Sequence, residues 1–249
     1  MIELKNITKI FNRGEVNEVA ALEDVSLRIE EGEFVVLVGA NGSGKTTLLN
    51  IISGAALPSK GRAFLHGEDV TGLPEHKRSR WVARVFQDPL GGTAPELSIL
   101  DNFRLAALRT RRKKLKIGIN EAFKASVRER IAVLGLGLED KLQQPMGTLS
   151  GGQRQALTLL MSVMDHTDIL LLDEPTAALD PKSAEVVMET AERLIRNYNL
   201  TTVFITHNLR ETQRFGNRLI QMAGGRIARD LRGEAKQQLE LEEMYGWFG

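Results

Sequence analysis

Gly39-Ala40-Asn41-Gly42-Ser43-Gly44-Lys45-Thr46-Thr47 decides how the rest of the chain is read. The stretch matches G-x-x-x-x-G-K-[ST] in full, the pattern of a loop that cradles phosphates. Before it stands Phe34-Val35-Val36-Leu37-Val38, an apolar, β-branched run with the character of a buried parallel strand. After it, Thr47 to Ser53 has helical spacing of apolar residues and stops near Gly54. Strand, glycine loop and helix, in that order, are the context in which the pattern carries chemistry. Glycines at 39, 42 and 44 let the backbone curl so that several amides face one anion, and the helix adds its positive end. Lys45 has the reach for β- and γ-phosphates, and the Thr46 hydroxyl is placed to ligate magnesium. Asn41, Ser43 and Thr47 complete the nucleotide-binding set. The chain is expected to bind a nucleoside triphosphate.

At 249 residues and 42% apolar content, the chain has room for one large α/β domain with a sizeable core. Its 33 Lys and Arg nearly balance 32 Asp and Glu, so charge alone implies no partner. There is no cysteine, which excludes disulfides, thiolate metal sites and cysteine nucleophiles together. The opening Met1-Ile2-Glu3-Leu4-Lys5-Asn6 lacks the basic and apolar regions of a secretory leader. The apolar runs are of strand length, well short of the ~20 residues that span a bilayer. A cytoplasmic protein is expected.

Residues 2–8 alternate apolar and polar, as do Val25, Leu27 and Ile29 before a turn at Glu31-Gly32. With Ala63-Phe64-Leu65 they read as an antiparallel sheet around the first part of the nucleotide core. Phe11 lies between the first two strands; from position alone, a core phenylalanine under a loop is favoured over one that stacks on a purine base. Val82 to Phe86 is a further strand, followed by Gln87-Asp88-Pro89. From Asp101 to about Leu138 the spacing turns helical, and this stretch reads as a helical subdomain inserted into the α/β core. Arg109, Arg111, Arg112, Lys113, Lys114 and Lys116 form a basic loop there. A solvated surface is the favoured reading over anionic headgroups, and the lack of interleaved aromatics argues against a nucleic-acid partner.

Leu149-Ser150-Gly151-Gly152-Gln153 precedes a helical run through Leu157, Leu160 and Met161. Ser150 suits an N-cap, and the two glycines leave the first amides open to an anion. Ile169 to Leu172 is an apolar strand ending in Asp173 and Glu174, which falls at the sheet edge where ligands bind. Asp173 can hold magnesium through water, and Glu174 is free to polarise a water for in-line attack. Asp180 and Pro181 open a helix to about Tyr198. Thr202 to Thr206 is one more strand, ending in His207, for which structural and catalytic readings stand level. Arg218 to Met222 and Arg226 to Ala228 form a hairpin about Gly224-Gly225. Glu234 to Gly249 reads as a helical tail whose Tyr245, Trp247 and Phe248 pack on the body.

Together these residues resemble the nucleotide-binding subunit of ATP-binding cassette (ABC) transporters, over nearly the whole chain. Leu149 to Gln153 looks like that family's signature motif, and its place between the phosphate loop and Asp173-Glu174 is also the family's. The resemblance implies an α/β fold with a phosphate-loop NTPase core, a parallel sheet, an antiparallel β subdomain and an inserted helical subdomain. In this chain the core and antiparallel part would cover about 1–98 and 166–233, the helical subdomain about 99–165 and the tail about 234–249. It implies ATP and Mg2+ as ligands, with metal contacts at Thr46, Gln87 and Asp173. Gln87 looks like the Q-loop glutamine, Ala178-Leu179-Asp180 like the D-loop, and His207 like the switch histidine that contacts the γ-phosphate. Phe11 occupies the place of the adenine-stacking aromatic, which in the family is most often Tyr.

The resemblance further implies a head-to-tail homodimer, with each ATP between one copy's phosphate loop and the other's signature helix. Ser150 and Gly151 otherwise form an anion site with nothing to bind in their own chain. Partners would be transmembrane permease subunits and an extracytoplasmic solute-binding protein, with this chain peripheral on the inner face of the membrane. Val85 to Pro89 with Gly92 to Pro95 looks most like stand-alone ATPases of bacterial uptake systems, in a branch linked to amino acids such as tryptophan. An exporter or lipoprotein-release ATPase is the alternative, and a soluble cassette protein outside transport is a third. A plain kinase or GTPase is disfavoured by the signature motif and by the lack of a guanine-reading N-K-x-D.

Overall fold

The computed structural model describes residues 1–109 and 118–247. Arg111, Arg112, Lys113, Lys114, Lys116 and Phe248 of the sequence reading lie outside the described residues. The chain opens with strands β1 (Ile2–Phe11), β2 (Val19–Ile29) and β3 (Phe34–Val38), then helix α1 (Lys45–Ser53). Strands β4 (Lys60–Leu65) and β5 (Glu68–Asp69) follow, then α2 (Glu75–Arg78) and β6 (Val82–Val85). A helical stretch comes next: α3 (Ile99–Ala106), α4 (Glu121–Ala132) and α5 (Gly151–Ser162). The second half alternates β7 (Ile169–Asp173), α6 (Pro181–Tyr198), β8 (Thr201–Ile205) and α7 (Leu209–Arg214). It closes with β9 (Arg218–Ala223), β10 (Arg226–Arg232), α8 (Glu234–Gln237) and α9 (Leu241–Tyr245).

Two sheets result. The first is antiparallel, in the order β2-β1-β4-β5. The second runs β10-β9-β3-β8-β7-β6, with β9, β3, β8, β7 and β6 parallel and β10 returning antiparallel. Strands β3, β7 and β8 are buried along their whole length, in keeping with their predominantly apolar text.

Side chains alternate across the second sheet and divide the core in two. Val35 and Leu37 of β3 face Leu48, Leu49, Ile51 and Ile52 of α1 and the inner residues of the antiparallel sheet. Phe34, Val36 and Val38 face the opposite cluster, where Phe103, Val127, Ile131, Leu157 and Val187 supply the helices. The helices α3, α4 and α5 therefore share one continuous cluster with the parallel sheet. Met244 and Trp247 of the tail join it, with the Arg229 guanidinium 4.5 Å above the Trp247 ring. Tyr245 is exposed, contrary to the sequence reading. Adjacent residues on a helix point about 100° apart, and Met244 takes the inward position. Among the described residues no helix is long and apolar enough to cross a membrane.

One buried cation fastens α1 to the body. Arg78, fully buried at the end of α2, donates to the carbonyls of Ile51, Ile52, Leu73 and Thr71. Two of these belong to the last turn of α1, where helix carbonyls lack internal partners. Burial pushes the Arg78 pKa down to about 10, with the charge of Asp69 opposing it, so the group stays protonated at neutral pH. Replacing Arg78 with Met leaves these acceptors without their donor and is expected to cost about 2–4 kcal/mol. The thermal unfolding midpoint should fall by about 5–15 °C; a midpoint within one degree of wild type would show that water or neighbouring groups serve the carbonyls equally well.

Candidate nucleotide site at the carboxyl edge of the parallel sheet

Because β3, β8, β7 and β6 are adjacent and parallel, their carboxyl ends rise along one edge. The register sets Leu37 level with Ile205 and Ile205 level with Asp173, and Leu172 level with Val85. The phosphate loop, Thr206-His207, Asp173-Glu174 and Phe86-Gln87 therefore leave neighbouring strands side by side.

The loop depends on its glycines in different ways. Gly39 and Gly44 have φ of 143° and 102°, in the left-handed half of the map, where side chains are strained. A Cβ on Gly39 would strike the Met222 carbonyl of β9, and one on Gly44 would strike Ala21 and Leu22 of β2. At Gly42, with φ of 78°, a Cβ would meet nothing within 4 Å, so here only the turn itself demands glycine. Asn41, Gly42 and Thr46 are exposed, Thr47 is half-buried, and Ser43 and Lys45 are buried. The Ser43 hydroxyl is buried without a hydrogen-bond partner, an orphan that an anion in the loop would satisfy. The Lys45 ammonium donates to the carbonyls of Gly39 at 2.7 Å and Ala40 at 3.0 Å, which holds it over its own loop. Burial lowers its pKa, while the charges of Glu174 and Asp173 pull the other way. Loop, cation and acids thus share one electrostatic neighbourhood.

Glu174 adopts φ of 49°, a left-handed conformation unusual for a residue with a side chain. Its Oε1 lies 3.0 Å from His207 Nε2, which brings two of the expected catalytic residues together. Asp173 pairs through Oδ2 with Nη2 of Arg84, whose Nη1 donates to Asn50 Oδ1 of α1 at 2.6 Å. Arg84 was not anticipated; the signal was a lone charge inside the apolar strand Val82-Ala83-Arg84-Val85. Gln87 is exposed, and the Phe86 carbonyl before it accepts from Nε2 of the fully buried Gln155 of α5 at 2.8 Å. Among the described residues no group of three or more His, Cys, Asp or Glu could hold a metal. Thr46, Gln87 and Asp173 offer oxygens only, which suits a hard cation that takes its remaining ligands from phosphate and water. The donor set fits magnesium.

Ser150 opens α5 through a capping box: its Oγ accepts from Gln153 N, and Gln153 Oε1 accepts from Ser150 N, each at 3.2 Å. The N–H groups of Gly151 and Gly152 have no acceptor within the helix. A Cβ on Gly152 would lie 2.5 Å from Ser183 Cβ, so this glycine permits the close approach of α5 and α6. Leu149 is buried, and the carbonyl of Leu149, with those of Met146 and Gly147, accepts from Arg154, a fixing contact the sequence did not reveal. Asp180 caps α6, accepting from Lys182 N and Ser183 N at 3.1 Å, and its hydrogen bond from Ser183 holds its pKa low. The signature turn is not brought to the phosphate loop: α5 packs in one core cluster and α1 in the other, on opposite faces of the sheet.

Phe11 is 38% exposed at the end of β1, which overturns the reading of it as a core residue. It pairs with Val19, two residues before the Ala21 that crowds Gly44. Phe11 therefore lies at the end of the antiparallel sheet that reaches the phosphate loop, with Lys9 Nζ 4.8 Å from its ring centroid.

Fold and site together define a phosphate-loop ATPase. A sequence profile described as ABC transporter matches residues 22–177, and the chain belongs to that family. It is similar to a tyrosine transport ATP-binding protein of Clostridioides difficile, 40% identical over 98% of this chain and 97% of the relative. It is also similar to the phosphonates import ATP-binding protein PhnC of Rhizobium etli, 32% identical over 99% of this chain and 86% of the relative. Among solved structures it resembles the ATP-binding cassette MJ0796, in a dimeric post-hydrolysis state with ADP and phosphate. The TM-score is 0.80 at 30% identity, covering 93% of this chain and 98% of that one. The chain is an ATP-binding, ATP-hydrolysing transporter subunit. With the loop assigned to phosphate, replacing Lys45 with Ala is expected to weaken ATP binding about 10–100-fold through loss of a charge-assisted contact, read by equilibrium titration. ATP bound at wild-type strength would count against the assignment of the loop.

Proposed function

We propose that this chain energises the uptake of a small solute, of the amino-acid class, through permease subunits, as a head-to-tail homodimer closed by ATP. One observation carries the reading. Two helix starts suited to phosphate, at Gly44-Lys45 and at Ser150-Gly151, stand on opposite faces of one sheet and have no shared triphosphate to bind within the chain. A second copy facing the other way supplies the missing partner. The dimeric state of the similar cassette supports the dimer, and the names of the relatives support import. The core with its antiparallel sheet acts as one body and the helical stretch, about 99–165, as the arm that carries the signature.

In this reading Gly39, Asn41, Gly42, Ser43, Gly44, Lys45 and Thr47 hold the phosphates, and Phe11 stacks on adenine. Thr46, Asp173 and Gln87 hold magnesium, which when bound neutralises charge on the β- and γ-phosphate oxygens. Glu174 takes the proton of the attacking water, and His207, at 3.0 Å from it, orients that carboxylate and meets the γ-phosphate. Leu149 to Gln153 close on the partner's ATP, with Asp180 in the D-loop beside them. Hydrolysis removes the bridging γ-phosphate, the halves part, and the movement passes to the permease. The subunit sits on the cytoplasmic face of the membrane, and an extracytoplasmic binding protein delivers the solute.

Glu174→Gln keeps the phosphate contacts and loses the base. It is expected to bind ATP, hydrolyse it at least about 100-fold more slowly, and elute as a dimer when ATP is present. Full turnover in this variant would show that another residue prepares the water. Ser150→Arg, by contrast, should reduce turnover to background while ATP affinity of the monomer stays within about twofold. If monomer binding fell in step with turnover, the shared site would be wrong.

A further inference from the structure

One buried carboxylate near the site has no part in the chemistry above. Glu211, in the first turn of α7, is 8% exposed, and both its oxygens are taken. Oε1 accepts from Thr176 Oγ1 at 2.9 Å, and Oε2 accepts from Thr206 Oγ1 at 2.5 Å. Thr176 stands two residues after Glu174, and Thr206 immediately precedes His207. Glu211 thus bridges the two loops that leave β7 and β8. Its own place is fixed in turn: Asn208 caps α7 by accepting from Arg210 N and Glu211 N, and the Asn208 N–H donates to Thr206 Oγ1 at 3.0 Å.

The bridge answers a problem set by Glu174. A left-handed conformation at a residue with a side chain is strained and persists only where the surroundings over-determine it. Main-chain bonds do part of this, from Glu174 N to Ile205 O at 3.1 Å and from Ala177 N to Glu174 O at 3.2 Å. They fix the backbone of Glu174 to β8, and the Glu211 carboxylate adds a side-chain tie between the following loop and the start of the His207 loop. A buried carboxylate costs much to unpair, so two hydroxyl donors on one carboxylate make a stiff link. We infer that Glu211 is a positioning residue: acting through Thr176 and Thr206, it holds Glu174 and His207 at their 3.0 Å contact. The inference rests on the catalytic roles proposed for those two residues.

The test uses the full chain and three readouts: ATP hydrolysis against ATP concentration, equilibrium ATP binding, and the unfolding midpoint. Glu211→Gln keeps shape but offers one acceptor oxygen where two are needed, and Thr206→Val removes a donor without changing volume. Each is expected to lower kcat about tenfold or more, with KM and ATP affinity within about twofold of wild type. Thr206→Ser, which keeps the hydroxyl, should recover kcat to within about threefold. The Glu211→Gln, Thr206→Val double variant should lose little more than the worse single one, because both break one unit.

Unchanged kcat in Glu211→Gln or Thr206→Val overturns the inference. So does a loss of kcat matched by lost ATP affinity, or one that vanishes when the assay temperature is lowered by the drop in unfolding midpoint. Glu174→Gln, assayed beside them, separates two failures. If it turns over normally, the catalytic roles fall and this inference with them; if it is inactive while Glu211→Gln is active, only the positioning role is lost.

Discussion

Parallel pairing of β3, β8, β7 and β6 is the constraint on which the rest depends. Four strands pointing one way must release their loops at one edge, so a phosphate loop, two acids, a histidine and a glutamine become neighbours without any loop having to travel. Reversing a single five-residue strand would move its loop to the far edge, about 16 Å away. The site tolerates no such change, since the Glu174–His207 contact spans only 3.0 Å.

The same sheet also keeps two phosphate-directed helix starts apart. Helix α1 and helix α5 bury their apolar residues against opposite faces, and the first amides of each have no acceptor within their own helix. Each half-site has the features that favour an anion, and neither can complete the other within the chain. The proposed head-to-tail pair draws on this arrangement: a second copy would supply the part of the site that one chain does not bring together.

Rigidity at the edge comes from buried polar side chains. Arg78 holds the end of α1, Arg154 the turn before α5, and Gln155 the carbonyl before Gln87. Arg84 ties Asp173 to Asn50 of α1. Three of these four bind main-chain carbonyls and none of those three needs a carboxylate. Desolvation of Arg78 and of Arg154 is offset by several hydrogen bonds each, and removing either leaves its acceptors exposed to the cost of unpaired burial. These side chains fix loops in place, whereas the apolar clusters fix only which faces meet.

Much of this was legible in the residues alone. The nine-residue loop, the apolar runs at 34–38, 169–172 and 202–206, and the N-caps at Ser150 and Asp180 are local signals, set by backbone conformation and nearest-neighbour chemistry. Local rules sufficed to place these elements and their types, whereas the short β5, α2 and α7 were not read from the sequence. Other features were not legible. The exposure of Phe11, the outward turn of Tyr245, the Arg84–Asp173 pair and the Glu211 bridge join residues up to 89 positions apart in sequence. Whether an aromatic is covered, or which carboxylate a buried arginine meets, depends on strand order and on which helix lies above, and one-dimensional spacing carries neither. The chain's text therefore determined that it binds a nucleotide and singled out the candidate loop; the packing of the two sheets decided which side chains hold that loop and its neighbours still, because burial and pairing are properties of surfaces brought together from distant parts of the chain.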